Sequence, residues 1–117
     1  MRFLALAAGA LLLVGCADGP PDYRHLTDMM TDIETFTTDK GVDETQECIV
    51  QHWRVQSWLF DAEPFNDGKY KGIVAQLDFA DVYPEDGHTV VKFYSDRGKL
   101  DIFRGIPRRV AAIKKCL

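Results

Sequence analysis

Residues 73–103 read IVAQLDFADVYPEDGHTVVKFYSDRGKLDIF, and the period of their apolar positions decides the fold class. Ile73, Ala75, Leu77 and Phe79 alternate with Val74, Gln76, Asp78 and Ala80, the two-residue period of a strand with unlike faces. Tyr83-Pro84-Glu85-Asp86-Gly87 breaks that pattern with a proline and a glycine. Thr89 to Tyr94 is β-branched and aromatic, and Ser95-Asp96-Arg97-Gly98 turns the chain into Lys99 to Phe103, so these two runs read as a hairpin. The stretch predicts a three-stranded antiparallel meander. Its alternation sends Asp78 to solvent with Asp81, Glu85 and Asp86; only a buried carboxylate pair would suit acid and base work.

On either side the period changes to three and four. From Asp22, which can cap a helix, Tyr23, Leu26, Met29, Met30, Ile33 and Phe36 recur at helical steps until Lys40-Gly41. Asp43 and Gln46 resemble a capping box, and Cys48, Ile49, His52 and Trp53 line one side of a second helix over 44–57. Trp53 to Leu59 also alternates, which leaves helix or strand open over 53–60. Asn66-Asp67-Gly68 marks a turn within 61–69. Pro107 suits the first turn of a closing helix that carries Val110, Ile113 and Leu117 on one face. A meander needs one face covered, and the helices are the cover at hand. The expected fold is α+β: two N-terminal helices, a three-stranded antiparallel meander and a C-terminal helix.

The first residues are of another kind. Arg2 supplies one positive charge, and Phe3 to Val14 is apolar but short of the about 20 residues that span a bilayer, so the run reads as a signal peptide. Leu13-Val14-Gly15-Cys16 then sets a thiol directly behind a small residue. That run resembles the lipobox of bacterial lipoprotein precursors. The resemblance implies removal of residues 1–15 and covalent diacylglycerol and N-acyl lipid on Cys16, with no other cofactor. Residues 16–21, with Asp18-Gly19-Pro20-Pro21, would be a short tether to one α+β domain over 22–117. The bilayer becomes a partner through the acyl anchor. Ala17 after the cysteine favours the outer membrane facing the periplasm, while Asp18 keeps the inner membrane as the alternative. The competing reading is a buried helix with Cys16 as a core cysteine. Beyond residue 16 the plan is similar to that of small Gram-negative envelope lipoproteins, with no functional residue to carry over.

Loss of 15 residues from 117 leaves 102, enough for one core. With Cys16 acylated, Cys48 and Cys116 remain, and an exported domain with two cysteines most often joins them. A metal site is not expected, because neither cysteine shows a second cysteine or histidine at ligand spacing. Residues 17–90 hold sixteen acidic and five basic side chains, and residues 91–117 hold two and eight. The net acidity argues against nucleic acid. The basic end is expected to face the acidic helices of its own domain, with anionic head groups or an acidic partner as the alternative.

Catalytic signatures are missing from the sequence. Ser57 and Ser95 lie outside any nucleophile elbow, the nine glycines form no phosphate-binding loop, and His25, His52 and His88 show no paired-ligand motif. No catalytic residue is assigned, and a non-enzymatic role is expected. Trp58, Phe60, Phe65 and Tyr70, crowded around a turn-rich segment, are offered as an interaction patch, the plainer reading being that they cap the core. These features point to a membrane-anchored periplasmic lipoprotein acting through contacts with an envelope protein partner. The alternative is binding of a small ligand or cell-wall fragment between helices and sheet.

Overall fold

β4 (Asp78–Glu85) and β5 (His88–Ser95) form a hairpin around Asp86-Gly87, whose φ values of 50° and 80° make the primed turn that matches the twist of paired strands. In this computed structural model, which describes residues 27, 29–56, 62–68, 70–98 and 101–117, that hairpin lies within a five-stranded antiparallel sheet. The strand order is β1 (Thr31–Thr38), β5, β4, β3 (Tyr70–Val74), β2 (Glu63–Asp67). Helix α1 (Val42–Gln56) follows β1, and helix α2 (Gly105–Lys114) follows β5.

The three-stranded meander and the pair of N-terminal helices are therefore wrong, although the α+β class stands. The region read as the first helix contains β1 instead; its part at 22–26 and 28 lies outside the described residues. The cause is a β-bulge: Asp32 pairs with Tyr94 and Glu34 with Phe93, so Ile33 is an extra residue on β1. The bulge lets Ile33 and Phe36, three apart, both pack on the core, which imitates a helical step. Four threonines in TDIETFTT carry the opposing, correct signal.

The run 73–80 is not one strand but the end of β3 and the start of β4. The chain reverses at Gln76-Leu77, closed by the Ala75 N–H donating to Asp78 O at 2.9 Å. This reversal resets the alternation and turns Asp78 inward. β4 then continues through Pro84, which lies beyond Val82, the last position paired with β3, so its missing N–H breaks no bond there. The strand expected at Lys99 to Phe103 is replaced by a turn over the described residues Asp101 to Arg104. Helix α1 extends to Gln56, which settles 53–56 as helix; 57–61 lie outside the described residues.

Both helices cover one face of the sheet. Ile49 and Trp53 of α1, with Ala112, Ile113 and Cys116 from α2 and its end, pack on Phe36, Ile73, Ala80, Val82, Val91 and Phe93. Trp53 meets Phe93 edge to face at 5.7 Å. Each large apolar side chain so enclosed contributes about 1.5–3 kcal/mol. Gln46 does not close a capping box. It is buried, and its Nε2 donates to Gly72 O at 3.0 Å and Phe65 O at 3.1 Å, tying α1 to the β2–β3 hairpin.

The opposite face carries a diagonal of rings across the strands: Phe65 to Phe79 and Phe79 to Tyr94, each 6.3 Å between centroids. Gly72 makes room for it. A Cβ there would stand 2.9 Å from Ala80 O, 3.1 Å from Phe79 Cζ and 3.3 Å from Phe65 Cδ1. Gly72→Ala is accordingly expected to cost about 1–3 kcal/mol through overpacking, measurable as a lower urea midpoint with an unchanged m-value.

Candidate functional site

Asp78 is fully enclosed at the end of the sheet that receives both helices, and three side chains converge on it. Ser95, its cross-strand partner, donates Oγ–H to Oδ1 at 2.8 Å. Arg97 reaches both carboxylate oxygens, Nη2 to Oδ2 at 3.0 Å and Nε to Oδ1 at 3.2 Å. Arg109 of α2 donates Nε–H to Oδ2 at 3.0 Å. Its Nη1 donates to Trp53 O at 3.0 Å and to Gln56 Oε1 at 3.3 Å, and its guanidinium lies 4.7 Å from the Trp53 ring centroid. Burial pushes the Arg109 pKa below its ordinary value, and the hydrogen bond to Asp78 works against that. For Arg97 the bond to Asp78 is the larger influence and raises its pKa.

This is a brace, not a pair of acid and base carboxylates: Asp81, also expected in solvent, is buried too, but three residues from Asp78 it lies on the other face of β4. The two arginines of the basic end meet an aspartate from the sheet, where acidic helices had been expected. Among the described residues, every enclosed side-chain nitrogen and oxygen has a hydrogen-bond partner. A fully satisfied buried network of this kind rigidifies the elements it joins.

What the brace positions is the turn before α2. Arg97 Nη1 also stands 3.8 Å from Asp101 Oδ1, and Asp101 accepts the free N–H groups of Gly105 and Ile106, each at 2.8 Å. Gly105 leaves space for the Arg97 guanidinium: a Cβ there would come within 2.3 Å of it. Arg104 adopts a left-handed φ of 55°, uncommon for a residue with a side chain. Between Asp101 and Arg104 the chain presents Ile102 and Phe103, 78% and 80% exposed. The sequence pattern assigns these two to a strand, and the structure places them in a turn. The signal available was Asp101, four residues ahead of Gly105, as a helix cap.

The patch proposed from sequence is not assembled as expected. Phe65 is half-buried against Phe79 on the open sheet face; Trp58 and Phe60 lie outside the described residues, as does the side chain of Tyr70. Near that ring diagonal, Met29, Met30, Val74, Phe79 and Asp96 line a cleft of about 230 Å³. A second cleft, about 370 Å³ and more polar, lies between α1 and β2, with Gln46, Arg54, Asn66 and Lys71 on its walls.

The predicted disulfide is present: Cys48 and Cys116 are bonded, Cα to Cα 5.7 Å, joining α1 to the chain end after α2. His52, one helical turn beyond Cys48, brings a ring nitrogen so close that the donor atoms of Cys48, His52 and Cys116 all lie within 4.8 Å of one another. Contrary to the expectation that neither cysteine has a histidine at ligand spacing, Cys48-x-x-x-His52 is such a spacing on a helix, because residues four apart share a face. Of the other histidines, His88 pairs with Asp39 at 3.0 Å on the surface, and His25 lies outside the described residues, as does Cys16. No family model, curated protein or solved structure is similar enough to this chain to match it.

Proposed function

We propose that this chain is a lipid-anchored protein of the cell envelope, held by acyl groups on Cys16 at the periplasmic face of the outer membrane. It works without catalysis by presenting the Ile102–Phe103 turn to an envelope protein. The observation that carries the contact role is that turn: two adjacent large apolar side chains in water, on a segment fixed by Asp101 and the Asp78–Arg97 pair. Single exposed apolar residues are common, but an adjacent pair on a pre-ordered support loses little side-chain and loop entropy on binding. Arg104, next in sequence, and Arg108, in the first turn of α2, are exposed and favour an acidic rim on the partner.

The anchor is supported by the lipobox-like run, and an oxidising compartment by the Cys48–Cys116 bond. Among the described residues no helix is long and apolar enough to cross a membrane. Binding of a small ligand between helices and sheet has less support, because Ile49, Trp53, Phe93 and Ile113 are fully enclosed in that space.

The anchor is tested by fractionation. Cys16→Ser is expected to move the protein from the membrane fraction to the soluble exported fraction and to abolish incorporation of labelled fatty acid. Retention in the membrane, or labelling that survives the change, would overturn it.

A further inference from the structure

The disulfide and His52 form a donor set that the disulfide alone does not need. Cys48 and His52 stand one turn apart on α1, half-buried, and Cys116 is fully enclosed. The chain end that carries Cys116 is fixed by its N–H bond to Ile113 O at 2.8 Å and by Thr38 Oγ1 donating to Leu117 O at 2.9 Å. The third donor is therefore delivered by the fold, 68 residues away from the first in sequence.

We propose that the reduced form of this domain binds one zinc ion through Cys48 Sγ, Cys116 Sγ and a ring nitrogen of His52. Two thiolates and one imidazole are zinc's preferred donors, and three protein ligands leave the fourth tetrahedral position to water. Donor atoms around one zinc stand roughly 3.5–4 Å apart by the usual bond lengths. A ring nitrogen of His52 lies within 4.8 Å of both sulfurs, and the sulfurs, bonded to each other in the oxidised form, part to that spacing on reduction while their Cα atoms stand 5.7 Å apart, so binding asks for side-chain adjustment.

The chemistry balances in two steps. A dithiol reductant transfers two electrons and two protons to the Cys48–Cys116 bond, which breaks to two thiols while the reductant becomes a disulfide. Zinc then displaces one proton from each thiol, and two Zn–S bonds form while two protons leave to water. His52 binds as the neutral imidazole and loses no proton. The oxidised and metal-bound forms exclude one another, because the same two sulfurs serve either bond. This proposal does not depend on the lipid anchor or on the Ile102–Phe103 turn.

The test uses the full chain carrying Cys16→Ser, so that only Cys48 and Cys116 bear thiols. The protein is reduced with a phosphine, freed of it, and titrated with zinc against a chromophoric chelator, with cobalt(II) as the spectroscopic probe. The expected result is one zinc per reduced chain, none per oxidised chain, and a thiolate-to-cobalt charge-transfer band. His52→Ala should weaken zinc binding more than tenfold, since even outer partners of a metal site are worth 10–100-fold. Zinc should also raise the melting midpoint of the reduced protein and leave that of the oxidised protein unchanged. If reduction alone unfolds the chain, zinc should restore its far-UV circular dichroism. No zinc bound by the reduced chain, equal affinity in His52→Ala, or a reduced chain that stays unfolded in saturating zinc would each overturn the site.

Discussion

Asp78→Ala is expected to destabilise the domain by about 3–5 kcal/mol, the cost of breaking a buried ion pair from one side. The carboxylate is wholly enclosed and receives Ser95, Arg97 and Arg109. Without it, Arg109, only 5% exposed at its side chain, keeps its charge in the core after losing its carboxylate partner, with the Trp53 carbonyl and the Gln56 amide oxygen among its acceptors. For a domain of about 100 residues such a loss lowers the melting midpoint by roughly 15–25 °C. Arg97→Met should cost distinctly less, because that guanidinium is 21% exposed and leaves Asp78 still paired with Arg109. Thermal melts of the two variants check this ordering; equal losses would mean that the network does not centre on Arg109 and Asp78.

The second large effect belongs to the Cys48–Cys116 bond. Replacing both cysteines by alanine is expected to cost about 4 kcal/mol, because the bond closes a loop spanning a sequence separation of 68. It joins the helix that carries Trp53 to the chain end that follows Ile113, two parts of one core. Without it, the last turn relies on Ala112, Ile113 and the Thr38 bond to Leu117 O. Urea unfolding should show the lower midpoint, and hydrogen exchange should show α2 opening ahead of the central strands β4 and β5. A change below about 1 kcal/mol would mean that packing alone holds α2 in place.

Those two features differ in how well the sequence announces them. The cysteine pairing follows from compartment and count, and the structure agrees. Helix α1, strand β5 and helix α2 also follow from local signals: Ile49 and Trp53 are buried one helical step apart on α1, β5 is β-branched and aromatic, and Pro107 stands in the first turn of α2, although Leu117, expected on its buried face, is exposed. Asp78 does not. A two-residue reversal at Gln76-Leu77, with no glycine, proline or asparagine, resets the alternation by which it was assigned to solvent.

β1 is hidden by its bulge, which makes the buried positions of a strand recur as a helix would have them. Glu63-Pro64-Phe65-Asn66-Asp67 is poor strand sequence, and it becomes edge strand β2 because Gln46 binds its backbone and Gly72 admits the Phe65 ring. The turn at Ile102–Phe103 was misread for a related reason: Asp101 spends its carboxylate on the first N–H groups of α2, and helix capping outweighs the strand preference of the two residues beside it. Both misreadings come from single side chains that act across elements, which local periodicity does not register.

The measurement that tests the central claim most directly is photo-crosslinking in cells, with a photoreactive residue in place of Phe103 and, as control, in place of Val55. Val55 is 86% exposed on α1 and lies on no proposed contact surface. The account predicts one dominant protein adduct from position 103, identified by mass spectrometry, absent from position 55 and lost when Cys16→Ser frees the chain from the membrane. No adduct from 103, or the same adducts from both positions, would contradict it.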